Sequence, residues 1–226
     1  MQGSIARRTW LVVPLYNEGQ VVREVILQAR AVFPNIVCVD DGSSDNSADE
    51  AAAAGAVVVK HPINLGQGAA LQTGLDYAMS DPSAEFFVTF DSDGQHGLDD
   101  ALAMVTRLSE EPVDVIIGSR FLDGRTKPGR IKKVVLKLAV IFENVSTGVR
   151  LTDAHNGLRA LNRRAVSVIR IEQNRMAHAS EIVAKIGQNK LRYAEHPVHI
   201  IYTDYSRAKG QSVWNLVNIL NDLIFK

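Results

Sequence analysis

The sequence predicts a doubly wound α/β fold: a mostly parallel sheet covered by helices on both faces, with a small antiparallel element in the C-terminal half. Three observations point there. The strand-like runs are continuous apolar stretches rich in Val and Ile rather than alternating ones, as in strands buried on both faces. Strand and helix patterns alternate through about residue 121, which builds βαβ units. Polar clusters follow the runs, and right-handed crossovers gather strand C-termini on the edge where ligands bind.

Taken in order, "TWLVVPLY" (9–16) is the first strand, followed by an amphipathic helix from about Gln20 to Phe33. "NIVCVDD" (35–41) is the second, leading into an Ala-rich helix after Ser44. "AVVVK" (56–60) precedes a helix from about Gly68 to Met79, and "FFVTFDSD" (86–93) one from about Leu98 to Leu108. "VDVIIGSRF" (113–121) is the fifth strand. The second half is less regular: a helix reaching about Val145, a short strand within 155–162, and helices at 163–170 and 178–187. "LRYAEHPVHIIYTDYS" (191–206) alternates like an antiparallel strand or hairpin arm. No linker composition and no repeat divides the 226 residues, so we expect one domain with halves at 1–121 and 122–226.

Composition narrows the function. A hydrophobic fraction of 46% and a charged fraction of 22% imply a sizeable core. Lys plus Arg equals Asp plus Glu at 25 each, so no global field argues for nucleic acid. Cys38 is the only cysteine, which excludes an internal disulfide and fits a cytoplasmic setting. No stretch approaches the ~18 apolar residues of a membrane span, and "MQGSIARR" lacks the apolar core of a signal peptide. The ending "VWNLVNILNDLIFK" is broken by Asn215, Asn218, Asn221 and Asp222 and reads as an amphipathic helix.

The polar clusters are "PLYNE", "DDGSSD", "HPINLGQGAA" and "DSDGQH". Any one of them serves as a turn or a helix cap; Ser43, Ser44 or Asp45 suits the latter role. Several acids on one sheet edge also repel unless a cation or hydrogen-bond donors compensate. Asp41 is suited to accept from base N–H groups or ribose hydroxyls. Neither a G-x-G-x-x-G after the first strand nor a P-loop is present. The glycines of "GQGAALQTG" precede a helix and suit close approach to a phosphate. Asp91 and Asp93, one residue apart on an extended chain, share a face and can straddle a metal–diphosphate unit. There Mg²⁺ or Mn²⁺ makes the diphosphate a better leaving group. Asp93 is then the direct ligand, Asp91 faces ribose, and Gln95 or His96 completes the shell. His96 reads equally as a turn residue, and His155, His178, His196 and His199 as mostly structural.

In this order "VVPLYNE", "VDDGSSD", "NLGQGAA", "FDSDGQH", "GSRF" and "TDAHNGLRA" resemble the family 2 inverting glycosyltransferases of GT-A fold, most closely the dolichyl- or polyprenyl-phosphate hexose synthase branch. The resemblance covers roughly residues 9–212. It implies a nucleotide-sugar half and an acceptor half. Pro14, Tyr16, Glu18 and Asp41 would line the nucleoside site, with Gly66, Gln67 and Ser92 beside them. Asp91 and Asp93 would be the D-x-D pair with the metal, and Gln95 a further ligand. Arg120 would approach the acceptor or the diphosphate, with Asp153 and Arg159 nearby. "RAKGQS" supplies Arg207, Gly210 and Ser212, similar to the loop that closes over donor phosphates. Val213 and Gln67 stand where the family often has Lys, leaving Lys209 as the nearby cation.

The implied reaction moves a hexose from a UDP- or GDP-sugar through an oxocarbenium-like transition state. A phosphate acceptor is already ionised, with a second pKa of about 6; a sugar hydroxyl needs a base, for which Asp153 and Glu181 are candidates. The basic segment 124–137, with Ile131, Val134, Val135 and Leu138, is either a solvated face or a surface for anionic lipid headgroups. The expected partners are a nucleotide sugar, a polyprenyl phosphate, the cytoplasmic face of a membrane and a small membrane-protein subunit, with room for a homo-oligomer. Alternatives are direct transfer to a saccharide or protein, a sugar nucleotidyltransferase, and a non-catalytic nucleotide-binding module.

Overall fold

The computed structural model describes residues 2–123, 140, 144, 147–153, 156–174 and 177–201. Seven strands among the described residues form one sheet: β1 (Thr9–Leu15), β2 (Asn35–Asp40), β3 (Val57–Lys60), β4 (Phe86–Thr89), β5 (Val115–Ser119), β6 (Arg159–Asn162) and β7 (Tyr193–Pro197), in the order β3-β2-β1-β4-β6-β5-β7. The helices whose bounds lie among the described residues are α1 (Gln2–Arg7), α2 (Val22–Val32), α3 (Ser47–Ala53), α4 (Gln67–Met79), α5 (Leu98–Glu110), α6 (Arg163–Val168) and α7 (His178–Gln188).

Alternation along the buried strands sorts the core into two layers. Leu11, Val13 and Leu15 of β1 and Ile36 and Cys38 of β2 pack on α2, α3 and α5. Val12, Val37 and Val39 face the opposite side, against Ala70, Leu71 and Leu75 of α4 and Ile182, Val183 and Ile186 of α7. This is why the runs lack a polar alternate. β3 departs from the expectation: it is the sheet edge, and Val57 is exposed. Helix α1, which the sequence reading did not anticipate, buries Ile5 and Ala6.

The antiparallel element is β6, which runs against both β4 and β5. The segment expected to be antiparallel, 191–206, instead supplies β7, parallel to β5 from Val115↔Tyr193 to Ser119↔Pro197. Its only antiparallel contact among the described residues is the bridge His96↔Ile200. The buried Asp114 explains the arrangement at this end. It accepts from Arg192 N at 2.9 Å, Asn162 Nδ2 at 3.2 Å and Arg164 Nη1 at 3.2 Å, tying β5, β6 and β7 together. The two halves of the chain therefore share one sheet, with β6 inserted between β4 and β5. The basic segment 124–137 and the C-terminal segment expected to form an amphipathic helix lie outside the described residues, and none of the described helices is long and apolar enough to cross a membrane.

Candidate active site

β1 passes its chain to β2 on one side and is flanked by β4 on the other, so the sheet order reverses at β1. Such a switch point opens a crevice at the strand C-termini. One residue makes the opening sharp. Val12 O accepts from Phe90 N, whereas Leu15 O accepts from Asp41 N, so even residues of β1 turn to β4 and odd ones to β2. Pro14 therefore turns its hydrogen-less nitrogen toward β4, and pairing on that side ends at Val12↔Thr89. Asp91 emerges just beyond.

The loops at this edge are clasped by their own polar residues. Asn17 has φ 53°; its N–H donates to Ser43 Oγ at 2.9 Å and its Oδ1 accepts from Ser44 N at 2.9 Å. Glu18 N donates to Ser47 Oγ at 2.7 Å and Gly19 N to Asp45 Oδ2 at 3.0 Å. Asp45 Oδ1 also accepts from Ser47 N at 3.0 Å, so it serves the start of α3. "GSSD" thus joins two strand ends, placing Tyr16 on the exposed rim and burying Glu18. Asp41 is also buried. It accepts from His61 Nδ1 at 2.8 Å, Leu65 N at 2.9 Å and Gly66 N at 2.7 Å. It thereby anchors the turn that leads into α4.

That turn delivers Gln67, whose Nε2 donates to Asp91 Oδ1 at 3.2 Å. Asp91 Oδ2 meets His96 Nε2 at 2.9 Å. Gly157 lies so close that an added Cβ would stand 2.4 Å from Asp91 Oδ2. Burial alone would push the Asp91 carboxyl up; the His96 hydrogen bond and the charges of His96, Arg159 and His178 outweigh it and hold the group below the ordinary carboxylate value. His178, the first residue of α7, and Arg159 on β6 are both buried.

Asp93 is shifted the other way. Burial, then the charges of Asp91 and, more weakly, Glu18 push its carboxyl up against the Gln95 N–H bond. The two acids do not sit on an extended chain as expected. β4 ends at Thr89 and the chain turns at Gly94 (φ +73°). Asp93 accepts from Gln95 N at 3.0 Å and Gln95 Nε2 at 2.7 Å, while Ser92 is buried between the acids. Gln95 turns its amide N–H, not its oxygen, toward Asp93.

On the other side of the crevice Arg120, just past β5, forms a two-pronged ion pair with Asp153 at 2.6 and 2.7 Å. Glu181 faces elsewhere: its carboxylate accepts from Glu172 N at 3.0 Å and Gln173 N at 2.8 Å. The strap so held packs on the Gly66–Gly68 turn, where Gly68 N donates to Asn174 O at 2.9 Å. The glycines admit this strap, a role the spacing alone did not reveal. Arg207, Lys209, Gly210 and Ser212 lie outside the described residues.

Whether this site suits a divalent cation can be tested on its charges. No cluster of three acid, His or Cys side chains able to hold a metal occurs among the described residues. The protein side thus offers a carboxylate pair, one member of which, Asp93, burial and the Asp91 charge push up despite the Gln95 bonds and the His96 charge. A pair is the complement expected for Mg²⁺-like ions, which take one or two carboxylates and complete their shell with phosphate oxygens and water. The residues fit such an ion when a diphosphate is present.

The model of "Glycosyl transferase family 2" matches residues 10–170. The chain belongs to this family. It is a glycosyltransferase, and its sheet is of the GT-A kind. It is 32% identical over 222 residues to an uncharacterized protein of Methanocaldococcus jannaschii, covering 96% of this chain and 91% of that one. It is also 32% identical over 227 residues to the UDP-N-acetylglucosamine–dolichyl-phosphate N-acetylglucosaminyltransferase of Methanococcus voltae, covering 90% of each. An undecaprenyl-phosphate 4-deoxy-4-formamido-L-arabinose transferase of Pseudomonas savastanoi is 29% identical, over 95% of this chain and 64% of that one. Among solved structures, glucosyl-3-phosphoglycerate synthase of Mycobacterium tuberculosis, crystallised with Mg²⁺ and uridine diphosphate, superposes with a TM-score of 0.71 at 18% identity, covering 98% of this chain and 81% of that one.

The residues that sequence reasoning missed are His61, Gly157, Thr73 and the strap at 172–174. Each acts through a partner in another element of the fold, so no local pattern marks it.

Proposed function

We propose that this glycosyltransferase moves a hexose, with inversion, from a nucleoside diphosphate sugar to a polyprenyl phosphate. The observation that carries the reading is the pairing of Asp91 and Asp93 at the switch point, with Asp93 pushed up by burial and by the Asp91 and Glu18 charges. A carboxylate so strained calls for positive charge, and a diphosphate-bound divalent ion supplies it. That ion would draw charge from the leaving diphosphate. Asp93 would hold it, with Asp91, steadied by His96 and Gln67, beside the donor's ribose. Pro14, Tyr16, Glu18, Asp41, Gly66 and Ser92 form the walls of the donor half, residues 1–121. The synthase of Mycobacterium tuberculosis is crystallised with Mg²⁺ and, in another complex, with Mn²⁺, which makes these the first ions to test.

The acceptor's phosphate oxygen attacks the anomeric carbon opposite the diphosphate. The new C–O bond forms as the old one breaks, and its electron pair leaves with the nucleoside diphosphate. A phosphate monoester with a second pKa near ~6 arrives largely deprotonated, so no base is needed. The geometry favours this acceptor over a sugar hydroxyl. Of the two candidate bases, Asp153 is turned onto Arg120 and Glu181 onto the strap. The names of the lipid-phosphate relatives support the same choice. Arg120 and Arg159, joined by Arg207 with Gly210 and Ser212, would offset the repulsion between the anionic reactants. The acceptor half would meet a membrane surface through segment 124–137, with a small membrane subunit as partner.

The test is incubation with a panel of radiolabelled nucleotide sugars, Mn²⁺ and a short polyprenyl phosphate, followed by organic extraction. Label in the organic phase, lost in Asp93→Ala, supports the reading. Label confined to water-soluble glycans overturns the lipid acceptor.

A further inference from the structure

We infer that His61 is a positioning residue of the donor pocket. It holds Asp41, and through Asp41 the turn that delivers Gln67 to Asp91. The inference rests on the donor reading above.

The His61 side chain is buried, with Nδ1 at 2.8 Å from Asp41 Oδ1 and Nε2 at 2.9 Å from Thr73 Oγ1. An ionised carboxylate only accepts, so Nδ1 carries the hydrogen. In the neutral ring Nε2 is then an acceptor and takes the Thr73 hydroxyl hydrogen. Two partners thus select one tautomer. The main chain is fixed as well: His61 N donates to Asp40 O at 2.8 Å, prolonging the pairing of β2 with β3.

These contacts close a ring. Thr73 on α4 holds His61, His61 holds Asp41, and Asp41 holds Leu65 N and Gly66 N at the entrance to α4. Gln67 follows at once and reaches Asp91 Oδ1. The other two Asp41 partners are main-chain groups of the turn being positioned, so they move with it. His61 is the side chain anchored elsewhere, on the body of α4. A carboxylate offers about four acceptor positions. These three bonds use three, leaving one position on Oδ2, which the donor reading assigns to the nucleoside. His61 therefore decides both the orientation of Asp41 and which oxygen stays available.

The test combines calorimetric titration of UDP and GDP in Mn²⁺, donor KM and kcat, and thermal melts, on the wild type, His61→Leu and His61→Asn. Leu keeps approximate size and no donor; the Asn amide replaces the Nδ1 hydrogen. Loss of a hydrogen bond to a charged group predicts a nucleotide Kd and donor KM raised about tenfold in His61→Leu, with kcat within about threefold. His61→Asn is expected to recover to within about threefold of wild type. If His61→Leu proves insoluble, Thr73→Val, which removes only the hydroxyl, is expected to raise the same KM several-fold. Unchanged nucleotide affinity in His61→Leu, or in Thr73→Val, overturns the inference. So does equal loss in the Leu and Asn variants that merely follows a fall in Tm. A wild type that binds neither nucleotide overturns the donor reading itself.

Discussion

Arg120 grips Asp153 with both edges of its guanidinium: Nε stands 2.6 Å from Oδ2 and Nη2 2.7 Å from Oδ1, and the Arg120 backbone N–H adds a third bond to Oδ2 at 3.1 Å. Asp153 is almost wholly buried. Its oxygens thus face a permanent cation, the wrong environment for accepting a proton. On this geometry Asp153 aims Arg120. Asp153→Asn is expected to lower stability by about 3 kcal/mol, because the guanidinium stays largely buried without its carboxylate. Activity falls, but the pH–rate profile keeps its shape. A general base predicts the opposite pair of results: near-wild-type stability in urea melts and loss of the acid limb. Arg120→Lys, unable to form the fork, is expected to lie between Asp153→Asn and wild type in both measurements.

Asp93→Asn is expected to raise the stability of the metal-free protein while abolishing transfer. The native Asp93 carboxyl is pushed up by burial and by Asp91 and Glu18. A raised acid destabilises the fold where it is ionised in both states; below its unfolded value the penalty is absent, and it grows as pH rises through the raised native value. The variant's advantage is therefore largest at neutral pH, about 1 kcal/mol or ~2–4 °C in Tm. It shrinks as pH falls toward the ordinary carboxylate range. With nucleotide present, Mn²⁺ should raise Tm in the wild type and not in Asp93→Asn. Equal Tm for both proteins at neutral pH without metal would remove the argument from charge.

The acids at the crevice were legible because residue type and place coincide: a run such as "FFVTF" ending in Asp91 and Asp93 cannot bury those charges in the sheet. Their local shape was not. The run reads as strand to residue 93, yet β4 stops at Thr89 because Pro14 offers β4 no further N–H. β6 was harder still. It is a strand of four residues whose direction is set by partners in the other half of the chain. The partners of the acids were hidden for the same reason, since Gln67 stands 24 residues from Asp91, and Glu195, whose carboxylate accepts from the Asp153 backbone N–H, stands 42 residues from it.

Cys38 should be inert in the folded protein. It lies within β2 with no exposed surface, and burial pushes its thiol up to about 12. The thiolate is the reactive species. Iodoacetamide at pH 8 is expected to modify the chain only as fast as it unfolds, with full labelling in urea, as read by mass spectrometry. Prompt labelling without urea would mean that β2 opens locally.

Gly68→Ala separates two meanings of the glycine turn. Gly68 lies in the first turn of α4, where helix propensity alone favours Ala by about 1 kcal/mol. An added Cβ would stand 1.9 Å from Gln173 O and 3.0 Å from His178 Cβ, so the strap or the helix must move. Overpacking of this kind costs about 1–3 kcal/mol, and a clash with main chain belongs at the upper end. The expected result is a net loss of ~1–2 kcal/mol with weaker nucleotide binding, because displacing the start of α4 moves Gln67 away from Asp91. Gly3→Ala in α1 is the control. Its added Cβ meets nothing within 4 Å, so only the propensity gain applies and Tm should hold or rise. If the glycine instead served only to admit a phosphate, Gly68→Ala would bind nucleotide poorly yet melt higher than wild type. A raised Tm would thus detach the strap from the donor site and leave Glu181 without its assigned role.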